Sequence, residues 1–326
     1  MKYKFLKDLP LLFCIATLLF SSCTKEGEQL RGLIVTSPPV TPALSGVSQP
    51  PCGNRSVINA KLVPIGSLSE ARIGLVSAAA GNKILFAGGM AVGLYSSRVD
   101  IYDVTTNKWS TAELTKPERQ AMAVASVGNK ILFAGGGDND MGGTTSRVDI
   151  YDASTNTWSV AKLSKGRESL AAVTLGNKVF FAGGLTWETS ATGYSTWANS
   201  NAVDIYDNST NTWSTAFLSD SRSDISATVV GNNVFFAGGQ YKFYNGSSVI
   251  DIYDADNNSW STSNLQKAKG SMASIAVSNK IFLAGGVSSI NNFSGEVEIR
   301  DVNTGVSSFT CMIPRFMFNA VKKGFY

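Results

Sequence analysis

From Arg72 onward the chain is a succession of short apolar runs separated by glycine- and asparagine-rich breaks. No 3.6-residue apolar period accompanies them, and no helix cap stands ahead of one, so helix is disfavoured. The clearest stretch is Arg119–Trp158. An apolar run, Ala121 to Val127, is broken at Gly128-Asn129 and resumes at Ile131 to Ala134. Two such runs around a dipeptide that tolerates positive φ predict a tight hairpin. Gly135-Gly136 closes the second run. Val148-Asp149-Ile150-Tyr151 then alternates apolar and polar, as a half-buried strand does, and Asp152 to Asn156 forms a turn cluster before Trp158 opens a fourth strand. The stretch reads as one four-stranded antiparallel unit in an all-β chain.

The unit recurs. A basic residue heads each copy at Arg72, Arg119, Arg167, Arg222, Lys269 and Arg315, at spacings of 47, 48, 55, 47 and 46 residues. Nine residues on stands Gly81, Gly128, Gly176, Gly231, Ser278 or Gly324. Glycine pairs follow at 88–89, 135–136, 183–184, 238–239 and 285–286. Asp-Ile-Tyr-Asp places its tyrosine at Tyr102, Tyr151, Tyr206 and Tyr253, and seven residues later come Trp109, Trp158, Trp213 and Trp260. The fifth copy departs from this: Arg300-Asp301 replaces Tyr-Asp, and Ser307 stands where tryptophan belongs, with Phe309 nearby. The sixth copy, from Arg315, holds only a first strand and its turn before Tyr326.

A double glycine, then Tyr-Asp, then Trp, at a period near 50, resembles the kelch repeat. The resemblance implies a kelch-type β-propeller with five full repeats and a partial sixth, its blades running from strand a at the axis to strand d at the rim. The glycine pair suits close backbone approach, and Tyr and Trp suit the wedge between blades. Kelch propellers often close by pairing an N-terminal strand d with C-terminal strands, and Val63 to Leu68 occupies the strand-d position. A six-bladed design with an incomplete last blade and a five-bladed ring with an extra strand both remain open. A gap would expose strand edges.

The N-terminus reads differently. Lys2, Lys4 and Lys7 precede an apolar stretch from Leu9 to Phe20, too short to span a bilayer. Leu19-Phe20-Ser21-Ser22-Cys23 resembles a bacterial lipobox, although Phe20 is off-pattern. Residues 1–22 are therefore expected to be a lipoprotein signal peptide, with Cys23 the lipidated residue and the link to a membrane. The acidic residues just after Cys23 resemble a surface-export signal. An outer-membrane lipoprotein, exposed at the surface, is the expected location. Residues 23–56, with Ser-Pro-Pro, Thr-Pro and Gln-Pro-Pro steps, read as an extended tether, and 57–326 as the propeller.

Composition trims the functional options. Net charge is +4 without a long basic run, which gives no case for nucleic acid. There is no histidine, which removes His-based metal sites, Ser-His and Cys-His catalysis, and a copper oxidase of the kelch kind. Neither a metal nor another cofactor is implied. Of four cysteines, Cys52 and Cys311 remain beyond the signal and lipid positions, as a disulfide or as two thiols.

Candidate binding residues lie where the copies differ. In a four-stranded blade the b–c and d–a loops share one face, and the basic residues Arg72, Arg119, Arg167, Arg222 and Lys269 head the d–a side of it. The third b–c loop is the longest and carries Trp187, Tyr194 and Trp197; the fourth carries Tyr241, Phe243 and Tyr244. Arginines with flanking aromatics would suit an acidic glycan or a carboxylate-bearing peptide. The competing expectation is that Glu70, Glu118, Glu168 and Asp220 or Asp224 pair with those arginines locally. The leading functional reading is a lipid-anchored binding, adhesion or scaffold module for a glycan or protein ligand, with no catalytic residue. The alternatives are an enzyme resembling sialic-acid mutarotase, with Glu118 and Glu168 as acid–base candidates, and an incomplete propeller without function. Fold alone does not choose among them.

Overall fold

The computed structural model describes residues 64–311, apart from 116–118, 139–142, 190–192, 242–244 and 291. The signal and tether segments, Cys23, Cys52, Glu118, Phe243, Tyr244 and the partial repeat from Arg315 lie outside the described residues, as does the side chain of Cys311. Among the described residues there is no helix. Five four-stranded antiparallel sheets follow one another along the chain, each a simple meander. The first comprises Val76–Ala80, Lys83–Ala87, Arg98–Asp103 and Lys108–Glu113. The second comprises Ala123–Val127, Lys130–Ala134, Arg147–Asp152 and Thr157–Lys162. The third runs from Ala171–Leu175 to Thr212–Phe217, the fourth from Ser226–Val230 to Ser259–Asn264, and the fifth from Ala273–Val277 to Ser307–Cys311. These are blades 1 to 5.

Each turn is set by local chemistry. The a–b turn needs one left-handed residue, which is glycine in four blades and Ser278, at φ 54°, in the fifth. In the c–d turn Asn107, Asn156, Asn211 and Asn258 take φ of 50–56°. Each of these asparagines accepts a hydrogen bond from the tyrosine hydroxyl five residues back, at 2.7–2.9 Å. The same tyrosine lies opposite the tryptophan of strand d, with ring centroids 5.0–5.2 Å apart.

Cores form between blades. Leu85, Ala87 and Val99 of blade 1 pack with Ile131, Phe133 and Tyr151 of blade 2. Leu132 and Ile150 of blade 2 pack with Val179, Phe181 and Tyr206 of blade 3. Blades 3 and 4 join through Phe180, Val203, Phe236 and Tyr253, and blades 4 and 5 through Phe235, Ile250, Ile281 and Leu283. The two outermost faces lack such a partner among the described residues. Ile84 and Phe86 of blade 1 are half-buried, whereas their counterparts in blade 2, Ile131 and Phe133, are fully buried. On the last blade Val277 is 53% exposed, against 2% for Val127 at the same register in blade 2.

The glycine pair joins one blade to the next. Gly136 donates its N–H to the carbonyl of Arg167 at 2.8 Å, and Gly89, Gly184 and Gly239 do the same for Arg119, Arg222 and Lys269. A Cβ on Gly135 would lie 2.3 Å from the Arg167 carbonyl oxygen, so the approach requires glycine. Near the axis Ser169 donates to Ala121, Asp224 to Ser169 and Ser271 to Asp224, backbone to backbone at 3.0–3.1 Å. All four of these residues hold positive φ.

The fifth blade departs where its sequence does. Arg300, in place of tyrosine, donates across to blade 4, to the Asn264 carbonyl at 3.0 Å and the Ser263 hydroxyl at 2.6 Å. Ser307, in place of tryptophan, donates to Glu298 at 2.8 Å. Phe309 remains 45% exposed beneath the Lys267 ammonium, which stands 5.7 Å from its ring.

Candidate functional site

The d–a segments and the b–c loops do meet on one face. Arg119–Gln120 pairs with Gly137–Asp138 of its own blade, and Ile73, Glu168, Ser223 and Gly270 each bridge to the first residue of the b–c hairpin that follows. The basic residues, however, turn inward. Arg119, Arg167 and Arg222 are fully buried, and Arg72 and Lys269 nearly so. Each guanidinium is paired with the first aspartate of the Asp-Ile-Tyr-Asp motif: Arg72 with Asp100, Arg119 with Asp149, Arg167 with Asp204 and Arg222 with Asp251. Its other fork closes on backbone carbonyls. Arg119 Nη1 donates to Gly135 at 3.2 Å and Arg147 at 3.0 Å, and Arg167 Nη1 donates to Gly183 at 2.6 Å and Ala202 at 2.7 Å.

The local carboxylates expected to hold these arginines are therefore not their main partners. Glu70 comes within 4.0 Å of Arg72, but Arg167 and Arg222 are held by Asp204 and Asp251 rather than by Glu168, Asp220 or Asp224. The reason is strand geometry. Asp149 and Tyr151 are two residues apart on strand c, so both face the preceding blade, and a buried carboxylate there demands a buried cation. Its second oxygen accepts a backbone N–H at the end of the preceding strand d, as Asp204 does from Ser164 at 2.8 Å and Asp251 from Ser219 at 2.8 Å. The signal was in the sequence: an aspartate alternating with apolar residues in a strand that is otherwise buried. Burial lowers the pKa of Arg167 and Arg222, while Asp204 and Asp251 oppose the shift.

Lys269 does not reproduce the clamp. Its ammonium is buried without a hydrogen-bond partner, and so is one oxygen of Glu298, which stands at the aspartate position. Burial lowers the Lys269 pKa, with Glu298 opposing.

The loop aromatics are placed differently. Leu185–Thr189 and Ser195–Asn199 form a hairpin that rises from blade 3. Trp187 and Trp197 face each other across it, edge to face, with centroids 5.1 Å apart. Tyr194, near its tip, is 80% exposed. The shorter hairpin of blade 4, Gln240–Tyr241 with Asn245–Gly246, stands alongside. Asn199 Nδ2 donates to the Gln240 carbonyl at 2.9 Å and ties the two together. Between them lies a cleft of about 400 Å³. Trp197, Leu185 and Ala198 line one side; Tyr241 and Asp220 line the other. The Tyr241 hydroxyl donates to Asp220 at 2.7 Å and accepts from Ser247 at 3.1 Å. Its pKa is raised, first by burial and then by that carboxylate.

A second polar cluster lies nearer the axis. The Glu168 pKa is raised to about 7 by burial and by the charge of Asp224, whose own pKa burial raises. Glu168 Oε2 occupies the space that a side chain at Gly137 would fill. Gln120 donates to the Tyr95 hydroxyl at 2.6 Å, and Gln240 to the Ser271 hydroxyl at 2.9 Å, on either side of that pair.

Residues 71–113 and 118–162 match the Kelch motif. These spans cover blades 1 and 2 almost end to end, and blades 3 to 5 repeat their strand order. Blades 1 and 2 are kelch repeats. With its four-stranded blades and absence of helix among the described residues, the fold is a kelch-type β-propeller. Comparison with curated proteins gave no match. The Arg–Asp clamp, the glycine pair and the Tyr–Trp pair hold the blades together, whereas the aromatic side chains of the b–c hairpins in blades 3 and 4 stand outside that framework.

Proposed function

We propose that this kelch propeller is a binding module of the cell envelope, tethered through a lipidated Cys23, and that it engages a glycan or protein ligand on the b–c and d–a face. Kelch propellers commonly mediate binding. The observation that carries the reading here is the cleft that brings Trp197 of blade 3 beside Tyr241 of blade 4. Neither residue is needed to build a blade. Both are half-buried, so each keeps surface to give to a ligand. The ligand contact moves from the arginines to the aromatic hairpins, because the arginine head groups are enclosed and paired.

The test is binding of the full-length chain to glycan and peptide arrays. Signal that disappears in Trp197→Ala and Tyr241→Ala, but persists in the rim variant Trp158→Phe, supports the reading. Equal binding by all of these refutes the cleft. Loss of the chain from the membrane fraction in Cys23→Ser tests the anchor.

One observation favours a second reading, an enzyme resembling sialic-acid mutarotase. A carboxyl with a pKa of about 7 exchanges protons readily at neutral pH, and Glu168 has that property. Loss of sugar anomer interconversion in Glu168→Gln would support it.

A further inference from the structure

The cleft between the hairpins of blades 3 and 4 has a definite charge, and this inference rests on the binding reading above. Among the described residues that line it, Asp220 is the charged one. It is exposed and makes no ion pair among the described residues. Its oxygens accept hydrogen bonds from the Ser221 N–H at 2.8 Å and the Tyr241 hydroxyl at 2.7 Å. Both donors are neutral. They fix the carboxylate in place without cancelling its charge. The nearest guanidinium along the chain, Arg222, is fully buried and paired with Asp251. Opposite Asp220 the wall is apolar and aromatic, from Leu185, Trp197 and Ala198.

An anchored carboxylate facing aromatic surface attracts a cation twice. The carboxylate supplies the Coulomb term, and the ring faces supply a quadrupole that favours positive charge. An acidic ligand would meet Asp220 with repulsion and find no free cation lining the cleft among the described residues. At about 400 Å³ the space lies toward the small end of ligand sites. We infer that the cleft takes an organic ammonium group, held between Asp220, Tyr241 and Trp197. This reverses the ligand charge expected from the arginines in the sequence.

The experiment is a titration of the full-length chain, followed by tryptophan fluorescence and calorimetry, with choline, glucosamine, N-acetylglucosamine and glucuronate. The expected result is saturable binding of choline and glucosamine, with N-acetylglucosamine and glucuronate at least about tenfold weaker, as one removed charge contact warrants. Asp220→Asn should erase that preference without lowering the melting temperature, because the residue is exposed. Choline binding should weaken with added salt. Binding of N-acetylglucosamine as tight as glucosamine, or choline affinity unchanged in Asp220→Asn, overturns the ammonium inference. If neutral sugar binding is lost in Trp197→Ala but indifferent to Asp220→Asn, the inference falls while the cleft remains a binding site. If none of the four ligands binds and the arrays are also blank, both fall.

Discussion

Asp204 reaches from strand c of blade 3 to the guanidinium of Arg167, and neither side chain is exposed to solvent by more than 3%. The same aspartate accepts the Ser164 N–H, so one carboxylate fixes both the end of the preceding strand and the entry to its own blade. Removing it strands a buried cation. Asp204→Ala is expected to cost about 3–5 kcal/mol of stability, the range for breaking a buried pair from one side. Among the described residues Asp207, the last residue of the same motif, accepts hydrogen bonds from its own turn, at Ser209 and Thr210. Asp207→Ala should cost much less. Urea denaturation of the two variants measures the difference, and equal losses would contradict the clamp.

The fifth blade offers the reverse change. Lys269 and Glu298 stand where the other blades have arginine and aspartate, and each leaves a buried polar atom unbonded. A lysine has no second fork with which to reach the carbonyls of the glycine pair, and the longer glutamate does not restore what it lacks. Lys269→Arg combined with Glu298→Asp should stabilise the propeller by roughly 1–2 kcal/mol, through charge-assisted hydrogen bonds gained. Either substitution alone should gain little or lose, because arginine needs the space that glutamate fills. A double-mutant cycle followed by thermal melting would show coupling of about 0.5–3 kcal/mol between the sites. Strict additivity would count against the explanation.

Position in the series of blades should also decide what a core truncation costs. Phe133 is fully enclosed between blades 1 and 2, and Phe86 holds the same register in blade 1 with its face only half-covered. Phe133→Ala is expected to cost about 3–5 kcal/mol and Phe86→Ala about half of that or less. Chemical denaturation distinguishes them. A Phe86→Ala loss as large as that of Phe133→Ala would mean that its face is as fully covered as the interior ones.

These cases also show which features could be read in the residues and which could not. Strands, turns and the five described four-stranded units follow from local pattern: alternation in Val148–Tyr151, the left-handed glycine at Gly128, the asparagine that caps its own tyrosine. Each is set within about ten residues of chain, where sequence spacing and spatial spacing are tied together. The arginine clamp joins residues 28 to 37 apart in the chain, such as Arg167 and Asp204, and spacing alone does not choose Asp204 over the adjacent Glu168. The alternation that buries Asp204 does choose it, because a charge on the inner face must find its opposite. Trp197 and Tyr241 could be singled out separately as loop aromatics. Their meeting across two hairpins, with Asp220 between, depends on how the hairpins lean, and no local pattern records that.

Glu168 gives the propeller a pH dependence whose sign follows from its surroundings. Its pKa rises to about 7 because burial disfavours the charged form and Asp224 stands near; in the unfolded chain it lies near 4.5. Below the unfolded value both states hold the proton, and the contribution to stability is complete. Between about 4.5 and 7 the unfolded chain releases the proton while the folded one keeps it, so stability declines as pH rises. Above 7 the folded carboxyl ionises as well and the loss levels off. Asp224, also raised, acts in the same direction, and Tyr95, the other titratable group beside Glu168, stays protonated throughout. Asp103 and Asp301, both lowered to about 2, act oppositely and at lower pH: their contribution is lost only as pH falls below about 4. The window from pH 5 to 8 therefore belongs to Glu168. Across it the melting temperature should fall, and Glu168→Gln should flatten the fall by the equivalent of about 1–2 kcal/mol after solvent screening is allowed for. Melting temperatures of the two proteins at half-unit steps of pH provide the measurement. A parent protein that gains stability from pH 5 to 8, or a variant with the same slope as the parent, would show that the carboxyl ionises freely in the folded protein.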